Sequence, residues 1–226
     1  MPNDDPIAIY RGIRGRVADL VRDLDADTLD RIAPATPAWS VHDLLAHLIG
    51  DVTDIVEGNL DGVATDAWTQ AQVDRRRGIP VADLLEEWEH GSAVIEPTIG
   101  DFPPMMRTMF LTDAVTHEHD IRHAIGAPGA RDSDAIAYSY ATAVVAAGLA
   151  RGGAGAVRVV HEAGEDVVGD GSVTATLRTP RFEIVRAAVG RRSLDEIVAW
   201  DWEGEPTPDA FVLGMFTPTR ETPLGE

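Results

Sequence analysis

The stretch that decides the fold is residues 40–60, SVHDLLAHLIGDVTDIVEGNL. Its apolar side chains recur every three to four residues, which is the period of an α-helix with one buried face. Ser40 precedes this apolar run, and Asp43 lies three residues after Ser40. The pair therefore predicts a capping box at the start of the helix. His47 stands among the leucines of LLAHLIG, which predicts that its imidazole is buried in the core.

Helical periodicity extends over most of the first 150 residues. Apolar residues recur every three to four positions in several further segments, which are separated by Pro- and Gly-rich breaks. These segments predict helices over residues 6–32, 80–95, 105–126 and 133–150. Gly126 stands at the end of the predicted helix 105–126, which predicts that it caps this helix. The polar stretch 61–78 has no clear period and is either a loop or a short helix. Its three arginines at 75–77 are interpreted as solvated loop residues rather than an anion site.

After residue 155 the pattern changes from helical to alternating. AVRVVHE and SVTATL predict two strands joined by an acidic turn over 163–171. RFEIVRAAVG predicts a short helix capped by Gly190, and 194–202 and 211–216 predict further strands or a final short helix. We therefore predict an α+β, mainly α fold: an up-down four-helix bundle plus one extra helix over residues 1–152, and a small α/β domain over residues 153–226.

Composition excludes several classes of function. The chain has 38 acidic and 19 basic residues, and the net charge of -19 would repel phosphate backbones and anionic lipids. We therefore expect neither nucleic acid nor a membrane as a partner, and the absence of a basic, apolar leader predicts a cytoplasmic protein. The chain contains no cysteine, so protein metal ligands must be histidines and carboxylates.

One predicted helix, 105–126, carries a stripe of polar side chains. Asp113, His117 and Asp120 follow one another at steps of four and three residues, so they share one helix face. Apolar residues on both sides of the stripe predict that this face points inward. His119 and His123 point elsewhere and are interpreted as surface residues, kept only as a fallback pair of ligands. A buried carboxylate and imidazole need a metal or a tight hydrogen-bond network.

Two bundle helices can therefore present His47, Asp113 and His117 to one cation. Three protein ligands with a fourth position left to water or substrate is the pattern of catalytic zinc sites, and the same set suits other first-row divalent metals. The alternative is a core without metal, because a buried histidine is often simply hydrogen-bonded and an acid four residues before a histidine also stabilises an ordinary helix. Both interpretations stay open at this point.

Several motifs together resemble a known family. They are WSVHDLLAHL at 39–48, DAVTHEHDIR at 113–122, FEIVR at 182–186 and GRR at 190–192. Their order and spacing are similar to those of the mycothiol-dependent maleylpyruvate isomerase family, within the DinB/YfiT-like superfamily of metal-binding four-helix bundles. The resemblance covers about residues 8–205 and implies a DinB-like fold for the bundle.

The resemblance implies a divalent cation in the bundle core, zinc first, with nickel and iron as alternatives. Carried over to this sequence, its ligands are His47, Asp113 and His117, and Asp120 orients His117. Asp113 stands where the family often has glutamate, a side chain longer by one methylene.

The resemblance also implies that the C-terminal domain closes over the site. Arg191 and Arg192 are then candidate contacts of an anionic substrate or cofactor. The alternative is that both are solvated residues just beyond a helix cap.

The function implied is that of an enzyme with mycothiol as thiol cosubstrate, acting as a metal-bound thiolate. Such a thiolate performs S-transfer to a small electrophile or its cis/trans isomerisation. One alternative is a metal-dependent hydrolase that uses metal-bound water. Another is a non-catalytic stress protein that binds a metal or ligand, with Asp43 or Asp51 closing the coordination sphere. A homodimer is a further alternative for its assembly.

Overall fold

The computed structural model describes residues 4–146, 155–212 and 218–226. It confirms the predicted α+β, mainly α fold class and contains two compact units, Asp5–Gly129 and Ala130–Glu226. This division falls earlier in the chain than the predicted domain boundary between 152 and 153, which stays a prediction.

The N-terminal unit is helical. Its elements are α1 (Pro6–Val21), α2 (Ala26–Leu29), α3 (Val41–Glu57), α4 (Asp66–Arg76), α5 (Val81–Ile95), a 3-10 helix (Glu96–Asp101) and α6 (Pro104–Ile125). Helix α3 packs against α4, α5 and α6, and α1 packs against α6. The side chains of Leu44, Leu45 and Ile49 on α3 are fully buried, so this helix forms the centre of the unit. Among the described residues, no helix has the length and apolar content needed to cross a bilayer.

Local capping chemistry sets the ends of α3 and α6. The Ser40 hydroxyl accepts the Asp43 N–H at 3.1 Å, and the Asp43 carboxylate accepts the Ser40 N–H at 2.9 Å, which confirms the predicted capping box. Gly58 ends α3 with φ +72°, and Gly126 ends α6 with φ +67°, a left-handed conformation in which glycine has no steric penalty.

The structure corrects one helix prediction and decides between two alternatives at another place. The expected helix over 6–32 ends at Val21, and the short α2 follows after Asp25, whose carboxylate caps it. The polar stretch 61–78 contains α4, which packs against α3. The interpretation of its arginines as solvated is wrong for Arg76, which is buried, whereas Arg77 is exposed and Arg75 is exposed but pairs with Asp54 at 2.7 Å. The local pattern could not decide between a loop and a helix, because the polar Gln72 and Arg76 occupy much of the buried face of α4.

The C-terminal unit contains a mixed four-stranded sheet. Its elements are α7 (Asp134–Ser139) continued by a π-helix (Tyr140–Val145), β1 (Gly155–His161), β2 (Gly164–Asp170), β3 (Val173–Arg178), α8 (Arg181–Ala188), α9 (Leu194–Val198), β4 (Asp201–Glu203) and a 3-10 helix (Pro208–Ala210). The strand order is β2-β1-β3-β4, in which β1 runs antiparallel to β2 and parallel to β3. Helix α7 and its π-helical continuation pack against α8, which places them with the sheet rather than with the bundle.

The predicted acidic turn over 163–171 is wrong, because most of it forms β2. This edge strand buries only Val168 fully, so its exposed acidic side chains imitate the pattern of a turn. The stretch 194–202 forms α9 and the start of β4, and Gly190 has the φ of +76° expected of a helix cap. Residues 147–150 of the predicted helix and 213–216 of the predicted last strand lie outside the described residues.

A buried hydrogen-bond network joins α1 to α5. The Tyr10 hydroxyl lies 2.9 Å from Ser92 Oγ and accepts the Trp88 indole N–H at 2.9 Å. Burial raises the pKa of Tyr10 to about 12, so the phenol stays neutral and hydrogen-bonded at physiological pH.

We expect Tyr10→Phe to lower the free energy of unfolding by about 1–3 kcal/mol, because the Trp88 N–H and Ser92 hydroxyl lose a buried partner. Urea denaturation of the variant and the wild type measures this difference. An unchanged unfolding midpoint would contradict a stabilising role for the network.

Candidate metal centre

Helices α3 and α6 bring together three side chains able to bind one metal ion. His47 on α3 and Asp113 and His117 on α6 each offer a ligand atom, and these atoms all lie within 4.8 Å of one another. His47 Nε2 is 3.3 Å from one Asp113 carboxylate oxygen, and His117 Nε2 is 3.5 Å from the other. The two imidazole rings meet edge to face with centroids 5.0 Å apart.

The other ring nitrogen of each histidine has its own partner. His47 Nδ1 lies 2.7 Å from Gln72 Oε1, and His117 Nδ1 lies 3.0 Å from Asp120 Oδ2. Such partners orient an imidazole and leave its Nε2 directed at a metal. Asp120 is therefore placed where its predicted role of orienting His117 requires.

The cluster suits a divalent cation. Asp113 Oδ2, the oxygen 3.3 Å from His47 Nε2, is buried and accepts no well-aligned hydrogen bond from the described residues. A buried carboxylate oxygen without a partner is costly, and a cation would satisfy it. Two imidazole nitrogens and one carboxylate match the ligand preferences of Zn²⁺ and of other first-row divalent ions.

Strong electrostatic coupling links the members of the cluster. Burial lowers the pKa of His47, but the carboxylates of Asp51 and Asp113 outweigh it and raise the pKa to about 10. Burial also opposes the charge on His117, yet Asp113 and Asp120 raise its pKa. Burial raises the pKa of Asp113, but the two imidazoles hold it below its usual range. A cation that binds here must therefore displace protons from the imidazoles.

The two acids considered as a fourth ligand have other roles in the structure. Asp43 caps α3, and Asp51 accepts the Gln72 amide N–H at 3.1 Å. Burial and the Asp113 carboxylate raise the pKa of Asp51 to about 7, although His47 opposes the shift. Neither acid belongs to the set of mutually close ligand atoms found in the described residues. The arrangement is thus one of three protein ligands.

Helix α6 is buried on more than its predicted inward face. The interpretation of His119 as a surface residue is wrong, because its side chain is buried, and His123 is half-buried. Glu118 is fully buried and binds Arg16 through two hydrogen bonds and Arg122 through one. A pattern with one apolar stripe does not predict that Glu118 and His119 are buried, because α6 is enclosed on several sides.

Arg191 and Arg192 are buried within the C-terminal unit, so their interpretation as solvated residues is wrong. Arg192 donates to Glu183 at 2.6 Å and to Glu226 at 2.8 Å. Arg191 donates to the Val189 carbonyl at 2.8 Å. Their predicted contact with an anionic substrate or cofactor stays a prediction.

Two residues near the cluster were given no role by the sequence. The half-buried Trp39 ring lies 5.1 Å from the His47 ring and 6.1 Å from the His117 ring, measured between centroids. The fully buried Gln72 reaches His47 from α4. Trp39 could have been assigned to the site from the sequence, because it begins the 39–48 motif that contains His47. The polar stretch around Gln72 contains no motif that would assign Gln72 to the site.

We expect Asp120→Asn to weaken Zn²⁺ binding by about 10-fold. Loss of a group that orients a metal ligand costs about 10–100-fold in affinity, and the effect is at the lower end of this range because the amide oxygen still accepts a hydrogen bond. Competition with a chromophoric chelator measures the affinity. The matched control is Asp101→Asn, whose side chain is exposed at the end of the 3-10 helix. Equal affinity in Asp120→Asn and the wild type would show that Asp120 does not support a metal ligand.

The fold and this cluster define an α+β protein whose helical bundle encloses two histidines and an aspartate suited to a cation. Residues 10–111 match the family described as the mycothiol maleylpyruvate isomerase N-terminal domain. The match lies within the N-terminal unit and agrees with the resemblance that the sequence motifs indicated.

Solved structures extend the likeness beyond that domain. A crystal structure of the mycothiol-dependent maleylpyruvate isomerase has a TM-score of 0.58 and 13% identity, and the match covers 84% of this chain and 90% of that one. A histidine-to-alanine mutant of that isomerase gives a TM-score of 0.57 and 12% identity over the same shares. At this identity the likeness establishes a shared fold. A comparison with curated protein sequences gives no significant match.

Proposed function

We propose that this protein is a metal-dependent enzyme that uses mycothiol to act on a small electrophile, either by cis/trans isomerisation or by S-transfer. The observation that carries the proposal is the cluster of His47, Asp113 and His117, which offers three ligand atoms within 4.8 Å of one another in a bundle of this family. Zinc is the first candidate for the metal, with nickel and iron as alternatives.

A divalent cation held by these residues would lower the pKa of a bound thiol and so would supply a thiolate at neutral pH. The chain contains no cysteine, so the thiol must come from outside. Gln72 and Asp120 hold the two imidazoles from behind, and the Trp39 ring covers them with apolar surface. Because thiols stay reduced in the cytosol, the proposal keeps the cytoplasm as the expected location.

The two reactions differ in the fate of the thiol. In isomerisation, a carbon–sulfur bond forms at one alkene carbon while the π electron pair moves to its neighbour. Rotation about the resulting single bond and cleavage of the carbon–sulfur bond then restore the alkene and return the thiol. In S-transfer, the carbon–sulfur bond stays, and a leaving group departs with its electron pair.

Turnover assays on protein purified without a histidine tag test this proposal. Zinc-loaded protein is incubated with mycothiol and either maleylpyruvate or monochlorobimane, which report isomerisation and S-transfer respectively. We expect product formation with at least one electrophile, dependent on both zinc and thiol, and retained by the control His90→Ala, whose side chain is exposed on α5.

The outcomes separate the alternatives. Zinc-dependent hydrolysis of an ester without any thiol would replace the proposal with the hydrolase. Zinc binding with no turnover of either electrophile would contradict the proposal and favour a non-catalytic binding protein. These outcomes do not depend on whether the chain forms a homodimer, which stays an alternative for its assembly.

A further inference from the structure

Gln72 is a neutral side chain enclosed between a candidate metal ligand and two acids. Its amide oxygen lies 2.7 Å from His47 Nδ1. Its amide nitrogen donates to Asp51 Oδ1 at 3.1 Å and to Asp54 Oδ2 at 2.9 Å. The Gln72 side chain has no exposed surface, so its polar atoms depend on these protein contacts rather than on solvent.

The chemistry of the partners determines which way the Gln72 amide points. Arg75 donates to both carboxylate oxygens of Asp54, at 2.7 and 2.8 Å, so Asp54 acts as an acceptor. The NH₂ group of Gln72 must face that acceptor, and its carbonyl oxygen must then face His47. Because a carbonyl oxygen only accepts hydrogen bonds, His47 Nδ1 must carry a hydrogen, and Nε2 is the nitrogen left for the cluster.

Gly50 makes this contact sterically feasible. It lies three residues after His47 on the same helix, where a Cβ would come within 2.4 Å of Gln72 Cβ and 2.6 Å of Gln72 Cγ. Real side chains do not approach so closely, so any larger residue at position 50 would push α4 away from α3. The absence of a side chain at Gly50 thus lets Gln72 reach the imidazole.

We propose that Gln72 is a positioning residue that sets the tautomer and orientation of His47, and that Gly50 provides the space it needs. The inference rests on the proposed function, because the benefit of this tautomer is cation binding through Nε2. The two imidazoles are then supported differently, His117 by the carboxylate of Asp120 and His47 by an amide anchored through Asp54 and Arg75.

Zinc affinities of four variants test the inference by chelator competition. We expect Gln72→Met, which keeps the size of the side chain, to bind Zn²⁺ about 10–100-fold more weakly than the wild type. Gln72→Glu keeps an acceptor for His47 but loses the donor to Asp51 and Asp54 and adds a negative charge beside them. It is therefore expected to recover only part of the affinity that Gln72→Met loses. Gly50→Ala is expected to weaken binding as well. Gly91→Ala is its matched control, since a Cβ there would meet Val52 at 2.8 Å across α3 and α5 without touching Gln72.

Nitrogen NMR of the His47 ring in zinc-loaded wild-type protein provides a second readout, which does not depend on any variant folding. We expect a protonated Nδ1 and a metal-bound Nε2. The inference is overturned if Nδ1 carries no hydrogen, or if Gln72→Met binds zinc as tightly as the wild type. Failure of the wild type itself to bind zinc would instead refute the proposed function, and the inference with it.

Discussion

Replacing His47 or His117 by alanine is expected to lower the affinity for Zn²⁺ by more than about 100-fold, since loss of a group that merely orients a ligand already costs 10–100-fold. Each variant leaves the cluster with one imidazole and the Asp113 carboxylate, two ligands where a zinc site needs three from the protein. Thiol-dependent turnover is expected to fall with the bound metal.

Elemental analysis after gel filtration, together with chelator competition, measures this effect. The control is His90→Ala, because its side chain is exposed and is not a member of the cluster. Circular dichroism verifies that each variant is folded. Retention of one equivalent of tightly bound zinc in a folded His47→Ala or His117→Ala protein would show that the metal lies elsewhere.

Glu118→Ala is expected to cause the largest loss of stability, about 3–5 kcal/mol in the free energy of unfolding. The carboxylate of Glu118 has no exposed surface and accepts hydrogen bonds from Arg16 at 2.8 and 2.7 Å and from Arg122 at 3.0 Å. Its removal leaves two guanidinium groups without that acceptor between α1 and α6.

Chemical denaturation compares this variant with Glu89→Ala. Glu89 pairs with Arg14 but is 67% exposed, so we expect its loss to cost at most about 1 kcal/mol. Similar small changes in both variants would show that the buried group of Glu118, Arg16 and Arg122 does not stabilise the bundle.

The parts of the structure encoded by neighbouring residues could be predicted from the sequence. The capping box at Ser40 and Asp43 and the glycine cap at Gly126 follow from local hydrogen bonding and backbone conformation. The helical spacing of Asp113 and His117, with a buried histidine on another helix, was enough to predict that these side chains meet.

The parts that depend on distant neighbours could not be predicted. Helix α4 has no clear apolar period, and the contacts that bury Gln72 and Arg76 come from α3 and α5. Strand β2 has the sequence of an acidic turn because an edge strand leaves most of its side chains in solvent. His119 was misplaced because α6 is enclosed on several faces, which a single amphipathic stripe does not describe.

Cobalt substitution tests the central claim most directly, because Co²⁺ reports both the metal site and the thiol. The protein is loaded with Co²⁺, the absorption spectrum is recorded, and mycothiol is then added. If His47, Asp113 and His117 hold the ion and leave a position open, one equivalent of cobalt binds and the thiol produces a sulfur-to-cobalt charge-transfer band in the near ultraviolet. Cobalt-loaded protein whose spectrum does not change with thiol, or protein that binds no cobalt, would contradict the account.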